Sequence, residues 1–137
     1  MSKMLRSRSS GAATLRGLLA DAVERKAPLV LPGCYDALGA RLIEQAGFDG
    51  VYMTGFGTTA SLLGRPDVGL LGMTEMVDHA RRIAAAVDLP VVADADTGYG
   101  NEINVIRTVQ EYERAGVAGI HIEDQVLPKR CGHMENK

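Results

Sequence analysis

Tryptophan is absent from this 137-residue chain, which contains only two phenylalanines and four tyrosines. So few aromatic rings offer no platform on which nucleic-acid bases could stack. Positive charge is not in excess either, because the formal net charge is −2 and no clustered basic face is evident. Since proteins that bind nucleic acids in general present such a face, the composition argues against that function.

Long apolar runs and a cysteine framework are also missing. No window approaches the roughly 18 apolar residues that a membrane-spanning helix needs. The two cysteines are too few for a disulfide framework, and we interpret them as reduced thiols of a cytoplasmic protein. The basic start of the chain lacks the apolar core of a signal peptide, so we expect residues 1–13 to be a flexible start.

From residue 14 onward, amphipathic helices alternate with short apolar strands. The predicted helices cover residues 14–26, 37–45, 75–87 and 102–114, and the predicted strands cover 29–31, 50–54, 91–96 and 118–123. Unbroken apolar strands that alternate with helices are typical of parallel βαβ units in an α/β fold. Four such units are half of the eight that a closed (β/α) barrel needs.

Acidic residues gather where the last two predicted strands end. Asp94 and Asp96 are two residues apart on one strand, so we expect both side chains on the same face. Because an unpaired buried carboxylate costs several kcal/mol, two of them imply a nearby cation. Together with Glu123 they form an oxygen donor set that suits Mg²⁺. The alternative is that one acid caps the following turn while the other faces solvent.

A second group of reactive side chains follows Glu123. Lys129, Arg130 and His133 surround Cys131, and such a cationic setting favours a mobile thiol proton suited to acid–base chemistry. Zinc binding is weakly supported, because no second ligand pair has suitable spacing. The alternative is an ordinary loop cysteine.

Three other features carry weaker signals. The segment 54–57 resembles part of a dinucleotide fingerprint, but Gly64 to Asp67 interrupt the helix that the fingerprint requires. We therefore expect a loop whose glycines let backbone N–H groups approach a ligand carboxylate. By pattern alone Asp67 is an ordinary loop charge, and His79 is a surface or packing residue of a helix.

Six segments, in this order, resemble the isocitrate lyase/phosphoenolpyruvate mutase superfamily, and most of all its methylisocitrate and alkylmalate lyases. They are Pro32-Gly33 with Asp36-Ala37, Tyr52-Met53-Thr54-Gly55, Arg65-Pro66-Asp67-Val68-Gly69, Asp94-Ala95-Asp96-Thr97-Gly98-Tyr99-Gly100, His121-Ile122-Glu123-Asp124-Gln125 and Lys129-Arg130-Cys131-Gly132-His133. The resemblance runs from about residue 14 to residue 137. It implies the amino-terminal half of a TIM-type (β/α) barrel, with about four βα units preceded by a capping helix.

The resemblance also implies a reaction. Such enzymes cleave a 2-hydroxy dicarboxylate between its second and third carbons into a 2-oxo acid and a second carboxylic acid. Mg²⁺, with Mn²⁺ as the substitute, would be held mostly through water by Asp94, Asp96 and Glu123. Full-length members commonly form tetramers.

Further residue roles follow from the same resemblance. Asp67 would belong to the loop near the metal, Lys129 would assist at the reacting end, and Cys131, in the element that includes His133, would be the general acid. The oxo-acid product would be bound by Tyr52, Thr54, Gly55 and Phe56.

Two departures from the superfamily pattern keep alternatives open. Phe56 stands where methylisocitrate lyases often have glycine. Because its ring would reshape the pocket, we expect the preferred substrate acid to differ from that of methylisocitrate lyases. The barrel half that would clamp the far carboxylate of the substrate is absent, so an inactive half-barrel is one alternative. Another is an oxaloacetate decarboxylase, a phosphonopyruvate enzyme or a phosphoenolpyruvate phosphonomutase, although these relatives generally lack the cysteine found here at Cys131.

Overall fold

The computed structural model describes residues 11–135, which form an α/β fold around one parallel sheet. The elements are, in chain order, α1 (Gly11–Glu24), β1 (Gly33–Cys34), α2 (Ala37–Gln45), β2 (Val51–Met53), α3 (Gly55–Leu63), α4 (Met73–Ala86), β3 (Val91–Asp94), α5 (Glu102–Ala115) and β4 (Gly119–His121). The strands pair in sequential order, each parallel to the next. The predicted succession of parallel βαβ units is therefore confirmed.

The core lies between the central strands and α4. Val51 and Met53 of β2 and Val91 and Ala93 of β3 are buried, and the apolar face of α4 packs with them in one cluster. That face repeats at helical spacing, which is why the sequence pattern locates the helix correctly. Among the described residues, no helix is both long and apolar enough to cross a membrane.

Helices α2 and α5 begin and end close to their predicted positions because their caps are encoded locally. Asp36 accepts a hydrogen bond from the Gly39 N–H at 2.6 Å, which fixes the start of α2. Asn101 caps α5 through the N–H groups of Ile103 and Asn104. The left-handed Gly116, at φ 87°, then ends α5.

The first strand and the first helix are displaced from their predicted positions. The strand is Gly33–Cys34 rather than 29–31, because prolines 28 and 32 flank the apolar run and cannot donate to a sheet. Pairing with β2 starts instead where the Tyr52 N–H bonds the Pro32 carbonyl at 3.0 Å. Helix α1 includes residues 11–13, which were expected to be flexible, since two alanines favour the helix. Residues 1–10 lie outside the described part.

The loop expected at residues 55–57 is a helix, α3. The Thr54 hydroxyl accepts a hydrogen bond from the Gly57 N–H at 3.2 Å, and Gly64 in the left-handed region ends the helix. Helix α4 begins at Met73 rather than after Thr74, because the Glu75 carboxylate accepts from the Gly72 N–H at 2.8 Å. The chain thus carries a helix directly after β2, where the sequence indicated only a loop.

Candidate active site

The candidate site lies where β2, β3 and β4 reach their carboxyl ends. Asp94 is the last residue of β3, Glu123 follows β4 by two residues, and Thr54 and Gly55 follow β2. Since parallel strands end at the same edge of their sheet, these groups come together although they are far apart in sequence. The clustering predicted from the strand ends is what the structure shows.

Both carboxylate oxygens of Asp94 are held by backbone N–H groups. The Gly55 N–H donates to Oδ2 at 3.2 Å, and the Asp96 N–H donates to Oδ1 at 2.9 Å. The side chain is buried, so these bonds replace water that the carboxylate has lost. A Cβ on residue 55 would lie 2.5 Å from Asp94 Oδ2, so the contact requires glycine at Gly55.

Asp96 reaches the site by a turn rather than along the strand. Strand β3 ends at Asp94, and Asp96 adopts a left-handed backbone with φ 48°. The expectation that both acids extend from one strand face is therefore wrong, although they do end as neighbours. The Asp96 carbonyl accepts from the Glu123 N–H at 2.7 Å, which joins the β3 and β4 sides. Left-handed non-glycine residues are costly and concentrate at functional sites.

Lys129 supplies a cation to this acidic cluster. Its side chain is only 1% exposed, and Nζ lies 2.9 Å from Asp67 Oδ1 and 3.8 Å from Glu123 Oε2. Nζ also contacts Asp96 Oδ1. Burial lowers the pKa of Lys129, but hydrogen bonding and charge attraction with Asp96 and Asp67 outweigh it and raise the pKa. The lysine therefore stays charged and partners two buried acids.

Asp67 is the residue that the sequence pattern alone misjudged. The pattern predicts an ordinary loop charge, yet Asp67 is 2% exposed and paired with Lys129. Burial raises the pKa of Asp96, an effect that Lys129 opposes and that the charges of Asp94 and Asp67 reinforce. The four acids Asp67, Asp94, Asp96 and Glu123 thus form one electrostatic neighbourhood around one ammonium group.

This neighbourhood fits a divalent cation held through water. Four carboxylates against one ammonium leave a net charge of −3 when all are ionised, and that excess attracts a cation. Within residues 11–135, no group of three or more acidic, histidine or cysteine side chains is placed to chelate a metal directly. Mg²⁺ takes few direct carboxylates and keeps several waters, so the oxygen donors suit it, and they suit Mn²⁺ for the same reason.

Tyr52 and Gln125 border the acids. The Tyr52 hydroxyl lies 3.2 Å from His121 Nδ1, and burial with the charges of Asp94 and Glu123 raises the pKa of Tyr52, so the phenol keeps its proton. The Gln125 side-chain Nε2 donates to Glu123 Oε2 at 2.7 Å, and the side-chain Oε1 of Gln125 accepts from the Arg130 backbone N–H at 3.0 Å. Gln125 therefore connects the acidic cluster with the segment that carries Cys131.

Cys131 lies at the side of the cluster. Its N–H donates to the Asp67 carbonyl at 3.2 Å, and the free thiol is partly exposed. The Lys129 contacts described above are to carboxylates, and the His133 ring packs against Phe56 with centroids 5.1 Å apart. Tuning of the thiol by Lys129 and His133 stays a prediction. Cys34 is free, as expected for a reduced thiol, and its burial raises its pKa to about 11.

A comparison with known protein families gives a match that spans most of the chain. The family model for phosphoenolpyruvate phosphomutase matches residues 19–136. The chain belongs to this family. The resemblance found in the six sequence segments is thereby confirmed, and so is the TIM-type α/β fold class that it implied.

Two of the known proteins that are similar to this chain are named as lyases. The 2,3-dimethylmalate lyase of Eubacterium barkeri is 59% identical over 123 residues, which are 90% of this chain and 41% of that protein. A probable 2-methylisocitrate lyase of Corynebacterium glutamicum is 52% identical over 107 residues, covering 78% of this chain and 34% of that protein. The chain thus spans less than half the length of these relatives.

Two solved structures superpose closely on the described fold. Oxaloacetate acetylhydrolase in complex with the inhibitor 3,3-difluorooxalacetate gives a TM-score of 0.85 at 50% identity, over 93% of this chain and 42% of that chain. Phosphonopyruvate hydrolase in complex with oxalate and Mg²⁺ gives a TM-score of 0.81 at 36% identity, over 88% of this chain and 41% of that chain. The family therefore places several reactions on this fold.

Sequence reasoning missed a supporting layer behind the acids. Tyr112 of α5 is fully buried and donates its hydroxyl to the Asp94 carbonyl at 3.0 Å. The Tyr99 hydroxyl lies 2.9 Å from that of Tyr112, and the two rings stack. A tyrosine on the buried face of a helix needs a hydrogen-bond partner, and that was the available signal. His79 bonds the Tyr35 carbonyl at 2.7 Å, in keeping with its expected packing role.

Proposed function

We propose that this chain is part of a Mg²⁺-dependent carbon–carbon lyase that cleaves a 2-hydroxy dicarboxylate of the 2-methylisocitrate or alkylmalate type. The products would be a 2-oxo acid and a second carboxylic acid. One observation carries the proposal: a partly exposed thiol, Cys131, is anchored through its backbone to Asp67, whose carboxylate belongs to the buried acidic cluster. The similarity to 2,3-dimethylmalate lyase and to 2-methylisocitrate lyase supports the reaction class.

Binding of the reactants follows from charge and shape. Asp94, Asp96 and Glu123 would hold Mg²⁺ mostly through water, and the ion when bound would supply Lewis-acid polarisation of the oxo-acid part. Lys129 pairs with Asp96 and Asp67 and holds both carboxylates in place. The oxo acid would lie against Tyr52 and the start of α3, where Thr54, Gly55 and Phe56 are adjacent.

The bond change requires one proton to leave and one to arrive. The substrate hydroxyl gives its proton to a carboxylate of the acidic cluster as the bond between the second and third carbons breaks, and the electron pair of that bond passes to the third carbon. The Cys131 thiol then gives its proton to this carbon, which completes the departing carboxylic acid. A positioned general acid of this kind typically contributes about 10²–10⁴-fold to the rate.

The test uses a chain completed with the remaining part of the Eubacterium barkeri 2,3-dimethylmalate lyase, because the present chain covers only 41% of that protein. Pyruvate and glyoxylate release is measured over a panel of substituted malates and 2-methylisocitrate, with and without Mg²⁺. We expect Cys131→Ser to lower kcat by at least about 100-fold while oxalate still binds. Equal loss of turnover and oxalate binding would mean that the thiol is structural.

Oxaloacetate is the second candidate substrate, because the similarity to oxaloacetate acetylhydrolase reaches 50% identity with a TM-score of 0.85. Hydrolysis would release oxalate and acetate, decarboxylation would release carbon dioxide, and a phosphonopyruvate reaction would release phosphate. Assaying these products from oxaloacetate and phosphonopyruvate in the completed chain separates the candidates. The lyase is favoured if a 2-oxo acid is released from a 2-hydroxy diacid and no product forms from oxaloacetate or phosphonopyruvate.

The 137 residues alone are proposed to be inactive. The far carboxylate of a dicarboxylate needs groups beyond those described, and the relatives are more than twice as long as the matched part. The isolated chain in the same assays should therefore give no turnover. A cytoplasmic homo-oligomer, expected to be a tetramer for the full-length enzyme, belongs to the same proposal.

A further inference from the structure

Two aromatic rings join the start of α3 to the segment that carries Cys131. Phe56, the second residue of α3, and His133 pack edge to face, with ring centroids 5.1 Å apart and an interplanar angle of 70°. This contact bridges 77 residues of sequence (133 minus 56). Edge-to-face aromatic pairs shift an equilibrium by about 2–12-fold beyond the effect of buried area. Phe56 is 46% exposed, so core packing does not account for its position.

The Cys131 segment depends on such contacts for its position. Residues 122–135 contain no helix or strand, so sheet and helix bonding do not hold the segment. On one side of the thiol, the buried Lys129 and the Cys131 N–H attach the segment to Asp67. On the other side, a turn closed by the Met134 N–H and the Cys131 carbonyl at 2.9 Å presents His133 to Phe56. The thiol thus lies between two attachment points.

We propose that the Phe56–His133 ring pair, here called the latch, positions the Cys131 thiol beside the acidic cluster. Phe56 and His133 act in this way as positioning residues, through the segment rather than through the reacting atoms. The catalytic meaning of the latch rests on the function proposed above, whereas the latch itself is a property of this chain. With the latch released, the segment beyond Lys129 keeps one fewer attachment and the thiol becomes more accessible.

The two cysteines of the chain make the latch measurable without turnover. Cys131 is partly exposed, whereas Cys34 is buried and burial raises its pKa to about 11, so Cys34 reacts slowly unless the chain unfolds. Iodoacetamide labelling of the 137-residue chain, with each site followed by mass spectrometry, therefore separates local release from unfolding. We expect Phe56→Ala to raise the Cys131 rate by about 2–12-fold and to leave the Cys34 rate unchanged.

Matched variants test whether the ring pair is responsible. Phe56→Tyr and His133→Phe keep a ring at each position and should label like the unmodified chain, which also separates ring packing from histidine charge. Leu62→Ala removes a similarly exposed apolar side chain, 48% exposed, from the same helix and should have no effect. His133→Ala should raise the Cys131 labelling rate as much as Phe56→Ala does. The double variant should raise that rate no further.

The outcomes decide the proposal in each direction. An unchanged Cys131 rate in both alanine variants, or an equal rise in Leu62→Ala, overturns the latch. If Phe56→Ala also raises the labelling rate of Cys34, the His133→Ala variant decides the question, because His133 lies outside the helices and strands. In the completed chain Phe56→Ala and His133→Ala should both lower kcat. If labelling behaves as expected but the completed chain shows no lyase turnover, the proposed function fails and the latch stands.

Discussion

Lys129 places a positive charge among the acids of the site. Without it, a bound cation would have to neutralise the negative charge of these acids alone. Its ammonium group contacts Asp67 and Asp96 and lies 3.8 Å from Glu123, at 1% exposure of the side chain. Buried ion pairs contribute little net stability relative to apolar packing. Removing one partner, however, leaves the other charge buried without a partner and without water, which is strongly destabilising. The lysine is therefore needed for the fold of the site as well as for its electrostatics.

Replacing Lys129 with methionine should destabilise the chain by about 3–5 kcal/mol at pH 7, measured by urea unfolding. The loss should shrink as pH falls, because burial raises the pKa of Asp96 and Lys129 opposes that rise. Without the lysine this pKa rises further, so the carboxyl of the variant is protonated at a higher pH and its uncompensated charge disappears. Lys26→Met, at an exposed lysine, is the control and should change stability by less than about 0.5 kcal/mol. A loss that grows on acidification would contradict the role of Lys129 as partner of these acids.

At the same scale, the sequence predicts which residues gather but not where their side chains turn. Asp94, Asp96 and Glu123 were grouped correctly because parallel strands end at one edge. Lys129 was placed near the thiol because it is close in sequence, yet it turns into the acids. Asp67 could not be identified by pattern, since its burial depends on a lysine 62 residues later (129 minus 67).

The junction of β2 and α3 shows what determines an element beyond its own sequence. Helices α2 and α5 were predicted well because Asp36, Asn101 and Gly116 encode their ends locally. Helix α3 was missed because two glycines in its first turn are typical of a loop. Contact with Asp94 at the end of β3 stabilises this start, and the sequence pattern of residues 54–64 does not contain that information.

Gly55 should therefore tolerate no side chain. In Gly55→Ala the new Cβ would lie 2.5 Å from Asp94 Oδ2, so either the helix start or the carboxylate must move. We expect a loss of about 1–3 kcal/mol in urea unfolding, the usual range for overpacking. Gly17→Ala makes the same change inside α1, where nothing lies within 4 Å of the added atom, and should stabilise by up to about 1 kcal/mol. Equal effects of the two substitutions would show that the Asp94 contact is irrelevant.

At the scale of the whole molecule, the sheet has β1 at one edge and β4 at the other, and neither has a second neighbouring strand in residues 11–135. Helix α5, which packs beside β4, also presents apolar side chains to solvent: Ile103, Ile106 and Val109 are each exposed. The number of strands and their parallel βαβ arrangement were predicted from the periodicity of the sequence. The exposed faces did not, because a periodic pattern shows that a helix face is apolar without showing whether a neighbour covers it.

A contiguous apolar stripe next to an unpaired strand favours association between molecules. We expect the sedimentation coefficient of the 137-residue chain to rise with concentration. Ile106→Glu should reduce that rise while leaving the urea midpoint almost unchanged, since Ile106 is 61% exposed and contributes little to the core. Gln110→Glu adds the same charge one turn away without removing an apolar side chain, so it separates repulsion from lost contact. Concentration-independent sedimentation of the unmodified chain would show that the stripe on α5 is compatible with a monomer, and equal effects of the two variants would assign the change to charge.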